Sequence, residues 1–171
     1  MSRSLTKPSN VNKLRKIRIL MVCTGNTCRS AMAESIYKAE IKKRGLSDRF
    51  TVSSAGLKVY EGDSMNPYAI EALKILGYRP HRHKARALTP SKVKNSTLVV
   101  CMTADQKRAV GAENVFTVGD ITGGGDVADP YGAGISEYLR AARYIVYSVD
   151  EVLMLAEELY KRGLKTEQSS I

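Results

Sequence analysis

Short apolar runs alternate along the chain with longer segments whose apolar residues recur at helical spacing. Strands are predicted for residues 17–22, 50–53, 97–102 and 114–118. The third run is apolar throughout, which is typical of a central strand in a parallel sheet. Helices are predicted for residues 32–44, residues 67–76, a short segment from residue 103, and residues 138–162. This alternation predicts one α/β domain whose parallel sheet is covered by helices on both faces.

The domain itself is predicted to span residues 17–163. Residues 1–16 are polar and basic, lack the apolar stretch of a secretory signal, and are predicted to form a flexible arm. Gly163 is predicted to end the last helix, which leaves residues 164–171 as a frayed tail. No apolar run approaches the roughly 18 residues that a membrane span needs, so no membrane partner is expected.

Composition narrows the cellular setting and the kind of partner. Three cysteines, an odd number without a regular framework, indicate free thiols in a reducing compartment, and we therefore expect a cytoplasmic protein. The formal charge is +10, but the basic residues are spread along the chain rather than gathered in one run. Such a surface favours phosphorylated substrates, and nucleic acid is not the expected partner.

The most informative stretch lies between the first strand and the first helix, at residues 23–30. A strand that breaks at a glycine-containing loop and resumes as a helix points backbone N–H groups at one spot, which makes an anion site. The loop lacks the Gly-Lys-Ser/Thr ending of a nucleotide-binding loop. Cys23 and Cys28 are spaced too far apart for a zinc pair, and there is no second pair. What remains is a cysteine, five residues, an arginine and a serine.

These residue types suit phosphoryl chemistry without a metal or another cofactor. A thiolate at Cys23 would be stabilised by inward-pointing N–H groups and by the start of a helix. Arg29 adds a planar fork that fits two oxygens of a tetrahedral oxyanion. Ser30 can donate a hydrogen bond to the sulfur. The sequence therefore predicts a nucleophilic cysteine in an anion-binding loop.

Several separate motifs make the chain resemble the low-molecular-weight protein-tyrosine phosphatases. The Cys-x5-Arg-Ser loop is that family's hallmark, and the matching segments follow in the family's order: Val52-Ser53-Ser54-Ala55-Gly56, His83-Lys84-Ala85-Arg86, Val100-Cys101-Met102 and Asp129-Pro130-Tyr131. The resemblance runs from Ile17 to about Leu159. It implies a three-layer α/β/α sandwich around a four-stranded parallel sheet of strand order 2-1-3-4.

The resemblance also implies a two-step reaction. Cys23 would attack phosphorus and form a phosphocysteine. Arg29 and the backbone of the loop would hold the phosphoryl oxygens. Asp129 would protonate the leaving group and then accept a proton from the hydrolytic water. The phosphate-binding loop would comprise Thr24, Gly25, Asn26, Thr27, Cys28 and Ser30.

Supporting roles are implied for residues outside the loop. Ser54 and His83 would help to hold the loop in shape, and Tyr131 would line its entrance. From residue type alone, His83 and its neighbour His81 fit a plain surface position equally well. Cys28 fits either an apolar position of the helix or a redox partner that protects Cys23 through a reversible disulfide.

Spacing alone does not single out the acidic residue. Asp-Pro in a glycine-rich loop is most often only a turn, and Asp120 and Asp126 lie in the same loop as Asp129. Asp129 is preferred because it matches the family's motif.

Within the family, the loop resembles that of the bacterial protein-arginine phosphatases. Tyrosine-specific relatives usually carry Ile or Val where this chain has Thr27, whose hydroxyl offers a polar contact to a guanidinium or to water. Tyr131 is followed by Gly132-Ala133-Gly134 rather than by a second aromatic residue that would sandwich a phenol. Protein phosphoarginine is therefore the predicted substrate, with protein phosphotyrosine as the alternative.

Two more distant functions remain open from the sequence. Thioredoxin-coupled arsenate reductases share this type of loop, but they use two further cysteines downstream, whereas this chain has only Cys101. A non-catalytic module that binds phosphoproteins is the other, although Cys23, Arg29 and Asp129 are all present.

Overall fold

The computed structural model describes residues 15–169, so most of the predicted N-terminal arm lies outside the described residues. The strands are β1 (Ile17–Cys23), β2 (Phe50–Gly56), β3 (Leu98–Cys101) and β4 (Val115–Thr117). The helices are α1 (Arg29–Lys43), α2 (Pro67–Ile75), α3 (Pro90–Lys94), α4 (Ala104–Val110), α5 (Val118–Thr122), α6 (Ile135–Tyr147) and α7 (Val149–Ser169). Among these residues, no helix is both long enough and apolar enough to cross a bilayer.

The four strands form one parallel sheet in the order β2-β1-β3-β4, which confirms the predicted fold. Strand β1 lies at the centre and pairs over its whole length with β2, from Ile17 opposite Phe50 to Cys23 opposite Gly56. On its other side, β1 pairs with β3, with Met21 opposite Val100. The carboxyl ends of the strands meet at one edge, where ligands bind in open parallel sheets.

Side chains alternate between the two faces of β1 and thereby feed two apolar clusters. Ile17, Ile19 and Met21 belong to the larger cluster, which the long helices α1, α2, α6 and α7 complete. Leu20 and Val22 belong to a smaller cluster on the opposite face, together with Val99 and Cys101 of β3. Partly buried side chains of α3 and α4 pack against this cluster. Both faces of the sheet are therefore covered, as the alternating pattern predicts.

The last predicted helix is wrong in two respects. It is two helices, α6 and α7, separated at Ser148. The Ser148 hydroxyl is buried and donates to the carbonyl oxygen of Ile145 at 2.7 Å, an alternative that competes with helix continuation. In addition, α7 does not end at Gly163 but continues to Ser169, because residues 164–168 include good helix formers that carry the helix past one glycine.

Two short helices, α3 and α5, were not predicted from the sequence. Helix α3 begins after Thr89, whose side chain accepts from the backbone N–H of Lys92. Helix α5 begins directly after β4, where Thr117 and Asp120 form a capping box. Residues 118–122, predicted as the end of a strand and the start of a loop, are therefore helical.

Candidate active site

The loop between β1 and α1 lies at the carboxyl edge of the sheet and forms the floor of a cavity of about 360 Å³. Cys23 is the last residue of β1, and Arg29 is the first residue of α1. The loop lines the cavity with Cys23, Thr24, Gly25, Thr27, Cys28 and Arg29. The rest of the lining comes from Lys58, Tyr60, Asp63, Asp129 and Tyr131. The structure thus brings the three predicted catalytic residues into one cavity.

A chain of hydrogen bonds orients the hydroxyl that faces the Cys23 sulfur. Ser30 Oγ lies 2.9 Å from Cys23 Sγ. The side-chain amide of Asn26 donates to Ser30 Oγ at 2.8 Å and to Ser54 Oγ at 3.0 Å. Because Ser30 Oγ accepts from Asn26, its own hydrogen is free to point at the sulfur. Ser30 is therefore positioned to donate a hydrogen bond to the Cys23 sulfur.

Asn26 holds the sharpest bend of the loop. Its φ of 56° is in the left-handed region, which asparagine tolerates better than most residues. The backbone N–H of Arg86 donates to its side-chain oxygen at 3.0 Å, and His83 Nε2 donates to its carbonyl oxygen at 2.5 Å. Burial lowers the pKa of His83, so the ring is neutral with its hydrogen on Nε2. The structure thus places His83 behind the loop.

The end of β2 and the two residues after it support the other side of the loop. The backbone N–H groups of Leu57 and Lys58 donate to the carbonyl oxygens of Cys23 and Thr24, at 3.1 and 2.9 Å. Gly56 permits this approach, since a Cβ there would lie 2.7 Å from the Thr24 oxygen.

A buried carboxylate behind the loop was missed by the sequence reasoning. Glu34 lies on α1 one turn after Ser30 and is 1% exposed. It accepts from Ser54 Oγ at 2.5 Å and pairs with Arg86 at 3.0 Å and with Lys38. Burial raises the pKa of Glu34, but the hydrogen bonds that its carboxylate accepts outweigh burial and hold the pKa well below its usual range. The i, i+4 spacing from Ser30 was the available signal.

Glu34 also belongs to a cluster with donor types that metals use. His81 Nε2 lies 3.0 Å from His83 Nδ1 and 3.4 Å from Glu34 Oε2, and the donor atoms of all three lie within 4.8 Å of one another. However, Arg86 and Lys38 already neutralise the carboxylate and would repel a second cation. The cluster is better described as a hydrogen-bonded support for the loop.

Arg29 is 4% exposed and is oriented from two directions. Its Nη1 donates to the carbonyl oxygen of Val127 at 2.9 Å. Its Nη2 lies 3.3 Å from Asp129 Oδ2, whose side chain is 57% exposed. These contacts fix the plane of the guanidinium above the loop. Arg29 is therefore already ordered before a substrate binds.

The three aspartates of the glycine-rich segment are clearly separated by their contacts. Asp120 caps α5 and pairs with Lys107 at 2.7 Å. Asp126 accepts from the backbone N–H of Ala104 at 2.9 Å. Of the three, Asp129 alone lines the cavity with Cys23. The structure thus places Asp129 in the cavity of Cys23, and its role as the acid stays a prediction.

The other two cysteines are buried. Cys28 lines the same cavity as Cys23, and its sulfur lies 3.5 Å from Tyr138 Oη. Burial raises the pKa of Cys28, and a charge on Cys23 raises it further. Cys101, within β3, is fully buried, which raises its pKa to about 12. It therefore fits the core and is a poor thiol relay.

At the entrance, Tyr131, which was predicted to lie there, is 75% exposed. The sequence reasoning did not single out Tyr60, which lies on the loop after β2 and is 82% exposed. Lys58 and Asp63 come from the same loop as Tyr60. Their position after β2, the strand beside β1, was the available signal, since neighbouring parallel strands end at the same edge.

A family model described as "Low molecular weight phosphotyrosine protein phosphatase" matches residues 18–166. The chain belongs to this family. The resemblance of the separate motifs is thereby confirmed, and the chain is a low-molecular-weight phosphatase.

Relatives that match over most of their length include both arginine and tyrosine phosphatases. A protein-arginine-phosphatase of Bacillus subtilis is 36% identical over 155 residues, which cover 84% of this chain and 95% of the relative. A solved YwlE arginine phosphatase from Geobacillus stearothermophilus is 32% identical, covers 87% of this chain and 96% of its own, and has a TM-score of 0.72. A solved low-molecular-weight protein tyrosine phosphatase from T. tengcongensis is 34% identical, covers 81% and 99%, and has a TM-score of 0.76. These relatives therefore leave two candidate substrates, protein phosphoarginine and protein phosphotyrosine.

Proposed function

We propose that this low-molecular-weight phosphatase removes phosphoryl groups from phosphorylated proteins through a phosphocysteine at Cys23. The observation that carries the proposal is the shared cavity, in which Cys23 lies beside Ser30 while Arg29 and Asp129 are paired at 3.3 Å. The donor set supplies a nucleophile, an oxyanion clamp and a proton carrier. No step needs a metal ion.

The reaction proceeds in two displacements. In the first, the Cys23 sulfur forms a bond to phosphorus while the bond to the leaving group breaks, and Asp129 gives that group a proton. Arg29 and the loop N–H groups neutralise the phosphoryl oxygens, where transition-state charge lies. In the second, water attacks phosphorus, the S–P bond breaks, and Asp129 takes a proton from the water.

Protein phosphoarginine is the substrate we favour. Thr27 lines the cavity and is half-buried, so its side chain is within the reach of a bound group. Once Asp129 has given its proton to the leaving nitrogen, its carboxylate can pair with the released guanidinium, an interaction that an uncharged phenol would not exploit. The arginine phosphatases of Bacillus subtilis and Geobacillus stearothermophilus support the same choice.

Protein phosphotyrosine is the second candidate, and one observation favours it. Tyr60 and Tyr131 come from different loops and both line the cavity, so two exposed aromatic rings stand at its entrance. Aromatic rings at this position can pack against the phenol of a phosphotyrosine.

The decisive experiment compares kcat/KM of the purified protein on phosphoarginine, phosphotyrosine and phosphoserine peptides of one common sequence. We expect the phosphoarginine peptide to be cleaved fastest. A much higher rate on the phosphotyrosine peptide would overturn the choice of substrate while leaving the phosphocysteine mechanism in place. Failure to release phosphate from any of the peptides would overturn the mechanism as well.

Thr27→Ile is expected to shift the preference toward phosphotyrosine by about tenfold or more in the ratio of the two kcat/KM values. The substitution removes a hydroxyl that can contact a guanidinium and adds apolar surface that suits a phenol. Thr27→Val is the matched variant, because it removes the hydroxyl with little change of volume. An unchanged ratio in both variants would remove Thr27 from the specificity argument.

Cys28 as redox partner of Cys23 also stays a prediction, supported by the presence of both side chains in one cavity. After mild peroxide treatment, we expect dithiothreitol to restore activity to the wild type but not to Cys28→Ser, in which Cys23 oxidises further. Mass spectrometry of the oxidised protein should show an internal disulfide. Full recovery of Cys28→Ser would count against the pairing.

A further inference from the structure

A second carboxylate, that of Asp63, lines the same cavity as Asp129. Asp63 belongs to the loop between β2 and α2, whereas Asp129 precedes α6. The two acidic residues therefore line one cavity from separate parts of the fold. Because the proposed chemistry uses one carboxylate, the second needs its own explanation.

The loop holds Asp63 in a defined place. Gly62, with a φ of 86°, makes the turn just before it, and its N–H donates to the carbonyl oxygen of Ala85 at 2.9 Å. The N–H of Ala85 donates in return to the carbonyl oxygen of Asp63 at 2.8 Å. This reciprocal pair fastens the turn beside the His83–Arg86 segment, which itself supports Asn26. The backbone of Asp63 is thus held in place beside the cavity.

The carboxylate of Asp63 makes no hydrogen bond or ion pair with any residue in the described range 15–169. Asp129, by comparison, pairs with Arg29 and accepts from the backbone N–H of Tyr131. Glu61, on the same loop as Asp63, is also engaged, since it accepts from the N–H of Ala87 at 2.7 Å. Asp63 therefore offers acceptor oxygens to whatever enters the cavity.

An unpaired carboxylate beside an anion site has a consequence for substrate choice. It repels the dianion of a phosphomonoester and so weakens the binding of phosphotyrosine or phosphoserine. A phosphorylated guanidinium is different, because its phosphate is accompanied by delocalised positive charge on the guanidinium nitrogens. The same carboxylate then attracts the substrate through charge-assisted hydrogen bonds.

We propose that Asp63 is a specificity-determining residue that binds the guanidinium nitrogens of phosphoarginine on the side away from phosphorus. Asp129 protonates the nitrogen that leaves phosphorus, and Asp63 accepts hydrogen bonds from the other guanidinium nitrogens. This inference rests on the proposed phosphoarginine phosphatase function and names the group that recognises its substrate.

The test is a comparison of Asp63→Asn with the wild type on two small probes, N-acetyl-phosphoarginine methylamide and p-nitrophenyl phosphate. Neither probe has neighbouring side chains, so any effect belongs to the phosphorylated group itself. We expect KM for the phosphoarginine probe to rise about tenfold. KM for p-nitrophenyl phosphate should fall about two- to threefold, because a repulsive charge has been removed. A purely structural role for Asp63 would not move the two KM values in opposite directions.

Glu61→Gln is the matched control, since it removes the same charge from the same loop but keeps an acceptor for Ala87. It should leave both KM values within twofold of the wild type. If the wild type cleaves phosphoarginine but Asp63→Asn does not raise KM for the phosphoarginine probe relative to KM for p-nitrophenyl phosphate, the inference about Asp63 is wrong and the proposed function stands. If the wild type does not cleave phosphoarginine, the proposed function fails and this inference fails with it.

Discussion

Cys23→Ser is expected to lower kcat on every phosphorylated substrate by about 10⁴-fold or more, because it removes the group that forms the covalent bond to phosphorus. A serine hydroxyl ionises far less readily than a thiol. The side chain that hydrogen-bonds the Cys23 sulfur is the hydroxyl of Ser30, which is not a base that could take a proton from a new serine. The measurement is steady-state release of inorganic phosphate from the phosphoarginine peptide and from p-nitrophenyl phosphate.

Two controls separate loss of chemistry from loss of fold in this experiment. Calorimetric binding of inorganic phosphate to Cys23→Ser should persist, since Arg29 and the loop N–H groups remain. Cys101→Ser is the matched variant at a buried cysteine of β3, and we expect it to keep kcat within about twofold while lowering the melting temperature. Turnover by Cys23→Ser within a hundredfold of the wild type would contradict a phosphocysteine at this residue.

Asp129→Asn is expected to lower kcat/KM for phosphoarginine by about 10²- to 10⁴-fold, because a guanidine cannot leave readily without a proton. On p-nitrophenyl phosphate the first displacement needs less help, since nitrophenolate is a good leaving group. Hydrolysis of the phosphocysteine still needs a proton acceptor. Stopped-flow measurements should therefore show a burst of nitrophenolate in the variant, followed by slow turnover.

Asp126→Asn is the appropriate comparison for Asp129→Asn. Asp126 lies three residues earlier and uses its carboxylate to accept from the N–H of Ala104, a bond that an asparagine oxygen can keep. It should retain kcat/KM within about threefold. Equal losses in the two variants would mean that the segment's charge or fold matters, and that Asp129 is not the proton carrier.

Most residues that the structure gathers at this candidate site were predictable from the sequence, because they lie in one continuous loop. Cys23 and Arg29 are separated only by the turn between β1 and α1. The apolar runs of β1 and β3 marked the centre of the sheet, since strands buried on both faces have no polar alternation to obscure them. The strand order came from the family resemblance and not from the pattern itself.

The support behind the loop was much less predictable, because it is assembled from distant parts of the chain. Glu34 and Arg86 carry charges that usually mark a surface. The carboxylate of Glu34 is nevertheless 1% exposed because it pairs with Arg86 and Lys38 and accepts from Ser54, contacts that only the folded chain assembles. The break at Ser148 was missed for a similar reason. Apolar spacing continues across it, while the hydrogen bond between Tyr37 and Ser148 that accompanies it is a tertiary contact.

The buried support behind the loop and the exposed entrance of the cavity differ in how strongly a substitution is expected to affect stability and activity. Asn26, Ser30 and Glu34 are buried. Asn26 donates directly to Ser30 and is linked to Glu34 through Ser54, so changes there are expected to lower both stability and activity. The side chains of Tyr60 and Asp63, by contrast, are exposed and carry no contact that the fold requires. Substitutions at the entrance residues Tyr60 and Asp63 could therefore accumulate during evolution while the buried support of the loop stayed intact. One scaffold could in this way serve both arginine and tyrosine phosphatases.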